Sequence, residues 1–383
     1  MPLTRRGFLQ GLGAGGAGLA LSPVLGAPEL YASPGFSLLT HLARSTGPIQ
    51  LDRNENPNGP GRHVLEAIQA AFGDASRYPD DPEEALRKAI AASYGLTPDW
   101  VLMGCGSTEI LRVAVMAFCR ADRPLVTAAP TFEEPVRMAT ALKVPVVEVP
   151  VDKAMRLDLG AMADAAKQPP AGLVFCCNPN NPTATVHGAE AIRDFLARTH
   201  GVSAETTVLV DEAYHDFVED PAYSTAIPLV REDPRLVVSR TFSKVYGLAG
   251  FRVGYAIARP ETIATMRPWR CGNSINLGAA VGAVAAMGAP AHIRAELQKS
   301  REARAFTRTF FEGLGYRVEP SQTNFVMVDI RRDSKVFKDK CLERGVMIGR
   351  QFPQFKQHTR VSIGSLEEME RATKIFGAIL LSS

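Results

Sequence analysis

The feature that most constrains this chain is a regular alternation of short apolar runs with longer amphipathic stretches between residues 100 and 290. The runs at 125–129, 144–149, 173–177, 208–210, 236–239 and 253–257 are almost free of charge, so each reads as a strand buried on both faces. Helical patterns surround and separate them, at 82–94 with Asp81 as a cap, 108–119, 190–198 and 260–266. Buried strands alternating with helices predict an α/β fold built on a mainly parallel sheet with helices on both faces. A long charged helical pattern at 291–311 then leads into a smaller α+β unit with strands at 325–328 and 360–363. The resulting division is an N-terminal segment 1–33, an arm 34–60 rich in Pro, Asn and Gly, a large domain 61–290 and a small domain 291–383.

Composition excludes several functions. Of 383 residues, 46% are hydrophobic and 22% charged, as in a globular chain with a large core, and the net charge of +3 comes without a basic run that would suit nucleic acid. Cys105, Cys119, Cys176, Cys177, Cys271 and Cys341 form no C-x-x-C pair, and the seven histidines form no zinc-type spacing, so no metal is assigned. Cys176 and Cys177 are neighbours in a strand-like run. They should point to opposite faces as small buried side chains and not form a disulfide.

In an open parallel sheet, ligands bind beyond the carboxyl ends of the strands. Those ends here carry Asn178-Pro179-Asn180-Asn181-Pro182, then Asp211, then Ser243-Lys244. The string from Ser239 to Tyr255, with Thr241-Phe242-Ser243-Lys244 and Gly250-Phe251-Arg252 inside it, resembles the lysine segment of class I/II aminotransferases, most of all the histidinol-phosphate aminotransferase branch. Asn178–Thr183, Asp211-Glu212-Ala213-Tyr214 and Leu51–Pro57 match further landmarks of that family in the same order, and the resemblance runs from about residue 50 to the end.

The resemblance implies fold type I, with a seven-stranded-type sheet, and pyridoxal 5′-phosphate (PLP) as cofactor. Lys244 would form the Schiff base with the PLP aldehyde and shuttle the proton, which requires a neutral amine. Asp211 would pair with the pyridine nitrogen and keep the ring protonated. Asn181 and Tyr214 would bond its phenolic oxygen, and Phe132 would stack on the ring. Gly106, Ser107 and Thr108, at the start of a helix, with Thr241, Ser243 and Arg252, would form the phosphate cup. Tyr78 would reach the neighbouring subunit's phosphate, which implies a homodimer. Arg360 would clamp the substrate carboxylate. Arg350 and Asn56 fall where the branch meets the far end of the substrate, although Arg350 reads equally as half of a surface ion pair. The substrates implied are amino acids, or an amine of the histidinol-phosphate kind, and 2-oxo acids. A decarboxylase of the threonine-phosphate type and a non-catalytic PLP-binding module are the rival readings.

Three departures stand out. Asn56 and Asn58 occupy arm positions where the branch carries an aromatic. Ala184 replaces a frequent glycine, at a cost of about 1 kcal/mol if the backbone there needs a positive φ. Finally, Arg5-Arg6-Gly7-Phe8-Leu9 before a Gly/Ala-rich stretch is similar to a twin-arginine export signal, the alternative being an extension that merely contains two arginines. Export implies a periplasmic location, the alternative being cytoplasmic, and the stretch is too short and glycine-rich for a stable membrane span.

Overall fold

The computed structural model describes residues 47–382. The expected export signal, and the arm before residue 47, lie outside the described residues. The strands are β1 (Ile49–Leu51), β2 (Val101–Gly104), β3 (Leu125–Ala129), β4 (Val146–Pro150), β5 (Leu173–Cys177), β6 (Thr207–Asp211), β7 (Leu236–Thr241), β8 (Gly254–Ile257), β9 (Arg317–Val318), β10 (Phe325–Asp329), β11 (Val346–Ile348) and β12 (His358–Ser362). Seven of them form the main sheet in the order β2-β8-β7-β6-β5-β3-β4. The β4-β3-β5-β6-β7 run is parallel throughout, and β8 alone is antiparallel to both its neighbours. This is the mainly parallel α/β sheet that the apolar runs predict.

The central strands are fully buried because both faces are covered. Cys176 belongs to the apolar core on one face of the sheet with Val174, Val208 and Val238, and Cys177 to the core on the other with Phe175, Leu209 and Val237. Alternation along β5 thus separates the two thiols as expected. The same parallel direction brings the carboxyl ends of β5, β6 and β7 to one edge, at Cys177, Asp211 and Thr241, and the site grows there.

Residues beyond 300 build another core, around Phe311, Val326, Phe337, Val361 and Phe376. Its scaffold is the antiparallel sheet β12-β10-β9, and a separate two-stranded sheet pairs β1 with β11 in parallel. The arm is therefore not merely extended. Ile49 and Leu51 are buried in this core, and the strand they form anchors the segment Asp52–Pro57.

Helix boundaries needed small corrections. The helix expected at 82–94 spans Asp80–Ser93, with Pro79 and not Asp81 at its N-cap and no side-chain cap. The acidic residues Asp80, Asp81 and Glu83 fill its first turn, where they favour the positive end of the helix dipole without capping it. The helix expected at 108–119 begins at Gly106 and that at 190–198 runs on to Val202.

Candidate active site

Lys244 follows β7, and its Nζ donates to the backbone carbonyls of Asn54 (3.1 Å) and Arg53 (3.4 Å). It lies 5.4 Å from the centre of the Tyr214 ring. Burial, aided by the Arg360 guanidinium, pulls its ammonium down to about 8, with Glu55 and Asp211 opposing. An appreciable fraction of this lysine is thus uncharged near neutral pH, as a nucleophilic amine requires.

Asn54 organises this region, and sequence reasoning gave it no role. It is buried with φ +55°, in the left-handed region that Asn tolerates better than most residues. Its Nδ2 donates to the Tyr214 hydroxyl (3.0 Å), its Oδ1 accepts from Ser362 Oγ (2.7 Å), and its N–H donates back to that oxygen (2.8 Å). Its carbonyl accepts from both Lys244 and Asn324 (3.0 Å). The only signal was its place in the string Leu51–Pro57. Tyr214 is held from the other side by an edge-on contact with Phe325, ring centres 5.3 Å apart.

Asp211 ends β6 and is buried. One carboxylate oxygen accepts from Ser239 Oγ on β7 (2.7 Å). Burial pushes its carboxyl up to about 6, against the pull of Ser239 and Lys244. Beside it, buried Glu212 accepts from Arg240 Nε (3.0 Å) and Nη2 (2.7 Å), from Thr225 and from the Ala226 N–H. Arg240 Nη1 also reaches the Tyr94 hydroxyl (3.3 Å). This ion pair ties the ends of β6 and β7 together directly under Asp211 and Thr241.

An anion cradle forms at the N-terminus of the helix Gly106–Phe118. Gly106 has φ +72°, and a Cβ there would run into the Arg252 guanidinium, so only glycine lets the arginine lie against the helix start. Arg252 Nη2 donates to Thr108 Oγ1 (3.3 Å) and Nη1 to Ser243 Oγ (3.3 Å), while Thr241 Oγ1 donates to Ser243 Oγ (2.9 Å). Gly254 on β8 packs against the Ser107 N–H closely enough to exclude a side chain. Gly106, Ser107, Thr108, Thr241, Ser243 and Arg252 are therefore brought together as expected. A cation, three hydroxyls and a helix N-terminus at one place are what a phosphate requires.

Arg360, on β12, donates from Nη1 to Asn181 Oδ1 (2.7 Å) and from Nη2 to the Asp52 carbonyl (2.7 Å), and its buried Nε has no partner among the described residues. It lies 5.6 Å from the ring centres of both Phe325 and Phe352. Arg350 stands 4.3 Å from the centre of the same Phe352 ring, and its Nη2 pairs with Glu133. Phe132 is half-buried against the core over β3 and β5. Adjacent Thr131 donates to Asn180 (2.7 Å).

Two expected residues are placed apart from this cluster. Asn56 commits its Nδ2 to the Val245 carbonyl (2.8 Å) and to Glu296 (3.4 Å), lining with Asn58, Glu296 and Asn324 a cavity of about 180 Å³. Tyr78 is 78% exposed. Ala184 has φ +64° and is fully buried, so the positive φ anticipated from the missing glycine is present. Among the described residues no His, Cys, Asp and Glu cluster could hold a metal ion, and no helix is long and apolar enough to cross a membrane.

The model of the family Aminotransferase class I and II matches residues 46–376 of this chain. The histidinol-phosphate aminotransferase of Symbiobacterium thermophilum is 36% identical over 334 residues, covering 87% of this chain and 90% of that protein. That of Moorella thermoacetica is 37% identical over 335 residues, covering 87% and 85%. The crystal structure of histidinol-phosphate aminotransferase from Sinorhizobium meliloti in complex with pyridoxal-5′-phosphate superposes with a TM-score of 0.82 at 25% identity, covering 95% of this chain and all of that one.

Proposed function

The chain belongs to the class I and II aminotransferase family and is a PLP-dependent aminotransferase, and from that premise we propose which residues do the work and what kind of substrate they take. The residues present fit the cofactor. A buried carboxylate with one oxygen still free of a Ser239 bond stands at one end of the site, and a cation-lined helix start stands at the other. Lys244, a partly neutral amine, stands beside Asp211. Asp211 would hold the pyridine nitrogen, Tyr214 and Asn181 the phenolic oxygen, and the Gly106–Thr108 turn with Thr241, Ser243 and Arg252 the phosphate. When bound, PLP supplies a carbonyl for the substrate amine and a ring that withdraws electrons from its Cα.

The chain's own residues then have distinct tasks. Arg360 takes the substrate carboxylate, because its buried guanidinium faces both Asn181 and Phe325 and keeps an unused N–H. Holding that carboxylate fixes which Cα bond faces Lys244. Lys244 Nζ, as the neutral amine, would take the proton from the substrate Cα and, as the ammonium, would be the donor that returns it on the cofactor's side of the substrate nitrogen. Asn54 positions Lys244 through its carbonyl and Tyr214 through its amide. Asp211, kept from water, stays available for a cationic partner. Arg350 meets the far end of the substrate, so acidic amino acids are preferred, with a 2-oxo acid as acceptor; an amine of the histidinol-phosphate kind has no carboxylate and would present its phosphate to these arginines instead.

The observation that carries this reading is the convergence of Lys244, Asp211 and Arg360 around the Asn54–Tyr214 pair. The test is to mix holoenzyme with histidinol phosphate, L-glutamate and L-alanine and follow the cofactor's absorbance as amino groups load. Loading by the first two in preference to the third is expected, and loading by none would sink it. Tyr78, so exposed in one subunit, supports a homodimer in which it serves the partner's site. Arg5 and Arg6 support twin-arginine export to the periplasm. Replacing both with Lys should abolish export of a fused reporter, and surviving export would refute that part.

A further inference from the structure

We propose that Glu133 is a specificity-determining residue: it is an internal stand-in for the anionic tail of the substrate, and it competes with that tail for Arg350. The inference rests on the reading above, in which Arg350 faces the far end of the substrate.

The geometry is a contact between distant parts of the chain. Glu133 follows Phe132 at the start of the helix Glu134–Ala141, whereas Arg350 follows β11. One carboxylate oxygen of Glu133 accepts from Arg350 Nη2, and the other accepts from Arg137 Nη2 at 3.1 Å. Arg350 is further fixed by donation to the Gln351 carbonyl (3.1 Å) and by stacking on Phe352. Phe352 also carries Arg360, so the two guanidinia share one ring. Glu133 and Arg350 act on the Arg360 charge in opposite senses, Arg350 disfavouring it and Glu133 favouring it. The pair therefore borders the place where a carboxylate bound by Arg360 would extend its chain.

Charge counting then gives the consequence. Glu133 faces two arginines, so it keeps Arg137 when it surrenders Arg350, and neither partner is left alone. A substrate with an anionic tail can take Arg350 at the expense of a half-exposed pair, with side chains 42% and 44% exposed. Pairs that exposed hold weakly, within reach of a competing carboxylate or phosphate. A substrate with a neutral tail leaves the pair closed, and Glu133 then cancels a charge that would otherwise sit unpaired beside that tail. The pair thus opens for an anionic tail and stays closed for a neutral one, and Glu133 sets how strongly the anionic tail is preferred.

The test uses holoenzyme and two unreactive probes of equal chain length, glutarate with a distal carboxylate and valerate without one. Their dissociation constants are measured by calorimetry, with the cofactor's absorbance as a check on folding. Glu133→Gln should tighten glutarate about fivefold, corresponding to ~1 kcal/mol, and change valerate less than twofold. Glu133→Asp, which keeps the charge, should stay closer to wild type for both. Equal shifts for the two probes, or unchanged glutarate binding in Glu133→Gln, would overturn the proposal. Arg350→Gln tests the underlying reading separately: it should weaken glutarate at least tenfold, and if glutarate is indifferent to that change, Arg350 does not meet the tail at all.

Discussion

Burial acts on Lys244 and Asp211 in chemically opposite directions with one result: each favours its neutral form more than it would in water. Lys244 at about 8 leaves roughly a quarter of its amine neutral at pH 7.5, against about a thousandth for a lysine at 10.5. The rate at which cofactor-free protein captures PLP covalently should therefore rise about tenfold per pH unit below 8 and level off above it. Stopped-flow absorbance between pH 6 and 10 checks this, and a rate still climbing at pH 10 would show an ordinary lysine. For Asp211 the consequence is stability. Its folded value of about 6 lies above the 3.8 of a free side chain, so the folded protein holds this proton the more tightly. That contribution is fully present below pH 3.8 and is lost as pH rises through 6. Roughly 2 kcal/mol of it disappears between pH 4.5 and 7.5. Asp211→Asn removes the titration, so the cofactor-free variant should gain about that much on cofactor-free wild type across this window. Urea unfolding at the two pH values measures it, and a constant difference between the proteins would refute the assignment.

Between elements, the Glu212–Arg240 pair decides how well the ends of β6 and β7 are held. Both side chains are buried, so removing one leaves the other's charge without compensation, at about 3–5 kcal/mol. Glu212→Gln should lower the unfolding free energy by about that amount, whereas Glu212→Met with Arg240→Met should recover most of the loss, and a single variant costing under about 1 kcal/mol would contradict the role. The strands carrying this pair were legible because β5, β6 and β7 are continuous apolar runs that only a doubly covered sheet accommodates. The three-residue strand β1 was not, because Ile49-Gln50-Leu51 has no pattern of its own and is fixed by β11, some 300 residues later. The site divides in the same way. Lys244, Asp211 and Arg252 lie in strings whose local chemistry is distinctive. Asn54 owes its part to a left-handed backbone and to Ser362 and Asn324, and Glu133 owes its part to Arg350, so neither can be seen by reading along the chain. Ala184 is intermediate: the missing glycine pointed to a positive φ, and the buried residue adopts it with its N–H bonded to the Asn180 carbonyl at 2.8 Å.

At the scale of the whole molecule, one surface is poorly explained by a single chain. Tyr78 stands 78% exposed just before the helix Asp80–Ser93, with Phe72 at 55% a few residues earlier. Trp269, 50% exposed, adjoins Arg270, which pairs with Glu83 of that helix at 2.7 Å. Tyr78 thus stands at the start of this helix and Trp269 beside the arginine that pairs with it, and aromatics are enriched at protein interfaces. A second copy of the chain would cover them, and the Tyr78 hydroxyl would then be the natural donor to the phosphate held by the partner's Gly106–Thr108 turn and Arg252. The expected species in sedimentation is twice the chain's 41.3 kDa at micromolar concentration. Tyr78→Phe keeps the ring and its packing, so the mass should not change. It removes one hydrogen bond to a charged group, worth about 1.5–3 kcal/mol, and PLP should bind about 10- to 100-fold more weakly. A monomer would exclude the shared site outright. A dimer whose affinity for PLP ignores the missing hydroxyl would place Tyr78 at the interface for its ring alone.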